Sequence, residues 1–262
     1  MKEGVCKLCL QRKELCRESH IIPRFMYRFL TGENNSMVYV DTHRTRTKFN
    51  GEYEGGILCP ACDNGIIGKL EDYAATFLYD SFRDPSAFHI ENDHGQEYFV
   101  VENNPEYDYA RFKLFLLSLL WRVSISSRPF FDKVKLPPDV GEDLRRMLLS
   151  QTPGEIYEYP CVIALPPLTV NPADGKRGFD LMYTGLTMIP YCDIKEGIPM
   201  CRLVIQGAHY VFVLNKISDP RVSLSVGKDK LVLDFMPIGE QLKLLKLVAD
   251  TLKKQLHRDG KI

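Results

Sequence analysis

The chain has 262 residues, 45% of them apolar and 26% charged, which suits one or two globular domains with a sizeable core and argues against an intrinsically disordered chain. Its 34 basic and 34 acidic side chains give a formal net charge of zero, so bulk charge announces no polyanionic partner. MKEGVCKLC lacks a signal-peptide core, and the longest apolar run, FKLFLLSLLW, is too short to cross a bilayer and is closed by Arg122, so a soluble cytoplasmic protein with no membrane partner is expected.

Charge is unevenly placed. Residues 1–50 carry ten Lys/Arg against five Asp/Glu, whereas 81–110 carry one arginine against seven acids, which either presents a basic N-terminal face or is ordinary solvated surface. The pattern predicts a short strand over 14–22, a helical turn or two in RFMYRFLTG, and a strand in MVYVDTHRTRTKF. In that strand Arg44, Arg46 and Lys48 share one face, as a phosphate track or as a solvated face. A helix from Cys59 to about Phe82 follows, with Ile66, Ile67, Leu70, Tyr73, Ala74 and Phe77 at helical spacing, then a hairpin around Asp93-His94-Gly95. DYARFKLFLLSLLWRVSIS is apolar on nearly every side and reads as a buried helix, with Trp121 in the core rather than on a base-stacking platform. VGEDLRRMLLSQ is a shorter amphipathic helix. Four strand-like stretches lie between Gly154 and about Ile238, and GEQLKLLKLVADTLKKQLHR reads as a closing amphipathic helix.

Four of the eight cysteines form two CxxC pairs, Cys6/Cys9 and Cys59/Cys62. Each CxxC delivers two thiolates to one ion from a tight turn, so the two pairs suit a four-thiolate structural Zn2+ site; a redox dithiol is the alternative for either pair taken alone. Cys16, Cys161, Cys192 and Cys201 default to small buried hydrophobes, with Cys16 also a stray-ligand candidate. His43, His89, His94 and His209 have no ligand-like spacing.

The order CxxC, Ser19-His20-Ile21-Ile22-Pro23, a β excursion, then Leu58-Cys59-Pro60-Ala61-Cys62-Asp63 at a helix start resembles the HNH, or ββα-metal, endonucleases. FLLSLLWR, together with SHIIP and LCPACD, also resembles a group of bacterial HNH-like proteins. The resemblance covers about the first 80 residues. It implies a treble-clef zinc, ββα-metal-like module over residues 1–82; the element pattern behind it predicts a helix-and-antiparallel-sheet region over 83–262, and so an α+β protein.

The activity implied is metal-dependent phosphodiester hydrolysis, with DNA the expected substrate and bacterial defence or a mobile element the setting. His20 matches the general base, a role suited to an imidazole because it ordinarily titrates near neutrality. Asp63, with Asn64 beside it, matches the helix-borne ligand of a catalytic Mg2+ or Mn2+. The family places Asp or His where Ser19 stands, and often Asn where Glu54 stands. Glu54 could orient His20 or be an acidic loop residue; His20 could be a hydrogen-bonded structural histidine, and Asp63 could complement a helix N-terminus. The alternative class is a non-catalytic zinc module that binds nucleic acid or a protein. The C-terminal region could control access or bind a regulatory protein partner, and a homodimer is a further candidate.

Overall fold

A computed structural model describes residues 2–27, 37–40, 45–48, 51–83, 89–93, 96–166, 168–170, 177–179, 186–195, 197–216 and 225–235. Arg44, the turn at His94-Gly95 and the expected C-terminal helix lie outside these residues.

The chain opens with a hairpin of β1 (Lys2–Val5) and β2 (Arg12–Leu15). β3 (Ser19–His20) follows and pairs antiparallel with β6 (Tyr53–Glu54), so the strand expected over 14–22 is two short strands bent apart. Between them a 3-10 turn, Arg24–Tyr27, buries Met26 and Tyr27. β4 (Met37–Val40) and β5 (Thr45–Lys48) form an antiparallel hairpin, which corrects the single alternating strand expected there.

A helix then begins at α1 (Pro60–Cys62), widens through a π turn, Asp63–Ile67, and continues as α2 (Gly68–Arg83). In the widened turn the Gly68 N–H reaches back five residues to the Asp63 carbonyl; a Cβ at Gly68 would lie 3.3 Å from that oxygen, so glycine suits the close approach. β7 (His89–Asp93) and β8 (Gln96–Glu102) form the expected hairpin.

α3 (Tyr109–Ile125) starts at Asp108, whose side chain accepts from the Arg111 N–H at 3.0 Å, and ends where Ser126 turns extended. Every residue from Phe112 to Val123 is buried, as an all-round apolar helix requires. α4 (Pro138–Ser150) has proline in its first turn and stops at Gln151, which is left-handed at φ 57°.

The remaining strands are β9 (Cys161–Leu165), β10 (Leu168–Val170), β11 (Arg177–Phe179), β12 (Leu186–Lys195), β13 (Ile198–Ile205), β14 (Ala208–Val213) and β15 (Lys230–Phe235). Nine strands form one sheet in the order β5-β4-β12-β13-β14-β9-β15-β8-β7. β13 and β14 turn through Gln206 and Gly207, both at positive φ, the geometry of a tight two-residue hairpin. The expected antiparallel sheet is in fact mixed: β12 runs parallel to β4, and β15 parallel to β9. Both pairs join strands far apart in sequence, where no hairpin dictates direction.

One buried cluster links the cysteine turns, α2, α3, α4 and the sheet, and Leu116 and Leu117 of α3 border one small cavity with Cys161 of β9. Burying a side chain such as Phe115 or Leu117 stabilises by roughly 1.5–3 kcal/mol, so α3 is the main apolar anchor of the helical layer. Cys192 and Cys201, directly opposed on β12 and β13, form a disulfide, which corrects their reading as separate buried thiols. Among the described residues no helix is long and apolar enough to cross a membrane.

Candidate metal centre

Cys6 closes β1 and opens a tight turn in which the Leu10 N–H donates to the Cys6 carbonyl at 2.8 Å and the Cys6 N–H donates to the Gln11 carbonyl at 3.0 Å. Leu10 completes the turn in the left-handed region at φ 58°. The second pair sits at a helix start: Cys59 is the residue before α1, Pro60 fills the first helical position, and the Cys62 and Asp63 N–H groups donate to the Cys59 carbonyl. The four sulfurs lie within 4.8 Å of one another. A tetrahedral zinc with bonds of about 2.3 Å needs sulfurs about 3.8 Å apart, so the donor set and its spread both fit Zn2+.

The electrostatics also favour a cation. Burial raises the Cys6 thiol, but donors from the Cys9, Cys59 and Leu8 backbones outweigh it and bring the group to about 7. Burial and the neighbouring sulfurs push Cys62 far up, and burial raises Cys59. Four thiolates cannot share this buried corner without a positive charge among them. All four cysteines are free of disulfides. Cys16 stands apart from the set: burial, then the charge and hydrogen bond of Asp63, push its thiol to about 11.

The cysteine turns are fastened from outside. Lys7 Nζ donates to the Ile125 carbonyl at the end of α3 at 2.6 Å. Arg145 on α4 donates to the Leu8 carbonyl at 2.6 Å while its other two nitrogens grip Glu142, each at 2.7 Å. Ion-pairing to Glu142 therefore aims Arg145 at the first cysteine turn.

β3 carries the residues that prompted the nuclease expectation. Ser19 is buried and its Oγ donates to Asp63 Oδ2 at 3.0 Å, joining the strand to the helix that carries Cys59 and Cys62. His20 is exposed. Its carbonyl accepts from Arg122 Nη1 at 2.7 Å, and the same nitrogen pairs with Glu71 on α2. Arg122 is only 1% exposed, so a buried guanidinium ties α3, α2 and β3 together. Glu54 is opposite Ser19, whereas His20 is opposite Tyr53. The Glu54 carboxylate accepts from Ser126 Oγ at 2.6 Å and from the Ser127 N–H and Oγ at 2.9 and 2.7 Å. Burial raises the Glu54 carboxyl, but these donors and Lys7 hold it below its ordinary value. Glu54 fastens the end of α3 and does not orient the His20 ring.

Asn64 is exposed beside Asp63. Arg46 and Lys48 occupy alternate positions of β5, at the edge of the large sheet opposite β7, and the nine-stranded sheet does not include β3 or β6.

The sequence reading missed three features. Arg122 had a signal, a cation closing an otherwise apolar helix. Arg128 Nε donates to the Tyr53 carbonyl at 2.8 Å and its guanidinium lies 5.5 Å from the Tyr53 ring centre, a pairing with no local pattern. His89, Glu91 and Glu102 converge on the β7–β8 hairpin, all exposed, with His89 Nε2 2.9 Å from Glu91; strand alternation and hairpin register together could have revealed them. No protein-family model, curated protein or solved structure matches the chain.

Proposed function

We propose that the chain is an HNH-like endonuclease whose Cys6, Cys9, Cys59 and Cys62 hold a structural Zn2+ in a treble-clef arrangement and whose His20 activates water for nucleic-acid phosphodiester hydrolysis, with DNA the favoured substrate. The observation that carries the reading is the 3.0 Å bond between Ser19 and Asp63. It joins the residue before His20 to the residue after the fourth cysteine, the two positions from which the HNH arrangement grips a catalytic ion.

Asp63 offers a second carboxylate oxygen, Ser19 a hydroxyl and Asn64 an amide. This is a partial shell, adequate for an ion that keeps several waters and is held by one or two carboxylates plus substrate phosphate. A bound Mg2+ or Mn2+ would neutralise charge developing on the phosphate and the leaving oxygen. His20, exposed on β3, takes the proton of the attacking water. Arg122 and Glu71 fix the backbone from which the ring projects.

A second reading, a zinc module that binds nucleic acid without cutting it, is favoured by the engagement of Glu54 with Ser126 and Ser127, which leaves His20 without the expected carboxylate partner. Plasmid nicking and RNA cleavage across Mg2+, Mn2+ and Ni2+ distinguish the two. The endonuclease reading expects wild-type cleavage that falls by about 10²–10⁴-fold in His20→Ala at unchanged zinc content. A folded, zinc-loaded wild type that cuts neither polymer with any of the three ions selects the binding module.

A further inference from the structure

The residue opposite His20 leads to a second contact for the same substrate. The Ile21 N–H donates to the Glu52 carbonyl at 2.9 Å, which makes His20 and Tyr53 a non-hydrogen-bonded pair. Such pairs bring their Cα atoms to about 4.5 Å and their side chains onto one face of the ribbon. His20 and Tyr53 therefore project together, away from the face that carries Ser19 and Glu54. Arg128 lies over the Tyr53 ring at 5.5 Å, so its guanidinium belongs to the surface that His20 occupies.

Arg128 is fixed by one side only. Nε bonds to the Tyr53 carbonyl at 2.8 Å, and the guanidinium carbon lies 5.5 Å from the centre of the Tyr53 ring. Among the described residues, Nη1 and Nη2 donate to no protein acceptor, which leaves four N–H groups in a planar fork. The carboxylate of the neighbouring Glu54 is engaged by Ser126 and Ser127 and forms no ion pair with Arg128. A guanidinium held at one edge, supported by an aromatic face and open at the other edge is pre-organised for two parallel bonds to a phosphate.

We propose that Arg128, positioned by Tyr53, binds a nucleic-acid backbone phosphate on the surface beside His20. This contact rests on the nucleic-acid reading above, shared by the nuclease and the binding module, and does not require cleavage. A fork of this kind grips the backbone without reading sequence. It also explains why a tyrosine rather than a small residue stands opposite His20: the ring holds the fork in place.

The test uses the full chain, zinc-loaded, with His20→Ala to prevent turnover. Binding of a fluorescent 20-base-pair DNA duplex and of a single-stranded RNA of equal length is followed by anisotropy across salt concentrations. Arg128→Gln is the working variant, because its amide can still reach the Tyr53 carbonyl while the charge is lost. On duplex DNA the slope of log K against log salt should fall in magnitude by about 0.9, with a smaller fall of about 0.7 on single-stranded RNA. Tyr53→Phe keeps the ring and should leave the slope unchanged. Tyr53→Leu should weaken binding while circular dichroism and zinc content stay at wild-type values. An Arg128→Gln protein that is folded and zinc-loaded yet keeps wild-type affinity and slope overturns the proposal, and so does failure of the parent to bind either polymer at low salt. Loss of slope in Arg128→Gln with no cleavage by the His20-containing protein supports this contact and rejects only the nuclease reading.

Discussion

Replacing Arg122 by methionine should destabilise the protein more than any surface substitution, because it removes the buried link between α3, α2 and β3. The methionine preserves most of the packed stem, so the change isolates the guanidinium. That group donates to the His20 carbonyl at 2.7 Å and the Ser118 carbonyl at 3.3 Å and pairs with Glu71. Removing one member of a buried pair costs about 3–5 kcal/mol, chiefly because the other charge is stranded. Here the Glu71 side chain is 23% exposed and can recover water, which places the expected loss near the lower end, about 3 kcal/mol. At 2–4 °C per kcal/mol, the melting temperature should fall by roughly 6–12 °C. Differential scanning calorimetry at neutral pH checks it. Glu71→Gln retains a hydrogen-bond acceptor but strands the Arg122 charge, which is only 1% exposed, and should cost at least as much, about 3–5 kcal/mol. The double change Arg122→Met with Glu71→Met should be less damaging than the sum of the single ones, since neither charge is left behind. An Arg122→Met protein melting within about 2 °C of wild type, or a double variant with strictly additive losses, would refute the argument.

Lys113 provides a pH test. It is buried on α3, where it donates to Tyr109 Oη and the Glu155 carbonyl, and burial depresses it from 10.5 to about 8. Between those two values the unfolded chain binds more protons than the folded one, so this group makes stability rise with pH from about 8 towards 10.5. The Tm difference between wild type and Lys113→Met should therefore shift in favour of wild type from pH 7.5 to 9.5, and a difference independent of pH would reject the assignment. For the metal centre, Cys59→Ser should lower zinc content by elemental analysis and increase hydrogen exchange in residues 2–27 and 51–70, since zinc binding is coupled to folding. Wild-type protein purified without chelator and found free of zinc would remove that premise.

The parts of this fold that were legible in the sequence are those written locally. A CxxC needs only its own turn to bring two sulfurs together, so both cysteine pairs could be named, and the four sulfurs do converge. α3 declared itself by being apolar all round, and the structure buries it from Phe112 to Val123. The β7–β8 hairpin followed from a short turn between strand-like stretches, whereas β13 and β14 fall within what read as a single stretch.

What was not legible depends on partners far along the chain. MVYVDTHRTRTKF reads as one alternating strand, yet β4 and β5 form a hairpin whose place is set by the parallel pairing of Val38 and Leu186. Cys192 and Cys201 are nine residues apart with no motif, and only the β12–β13 register brings them face to face. Glu54 illustrates the same limit at the candidate site. Its spacing before Cys59 suggested a partner for His20, but strand alternation turns it to the other face, where serines 72 and 73 residues away claim its carboxylate. Spacing relative to a cysteine turn therefore located the right strand and missed the face. The same alternation that separates Glu54 from His20 places Tyr53 beside it, so the neighbours of this histidine follow from strand register and not from linear motif position.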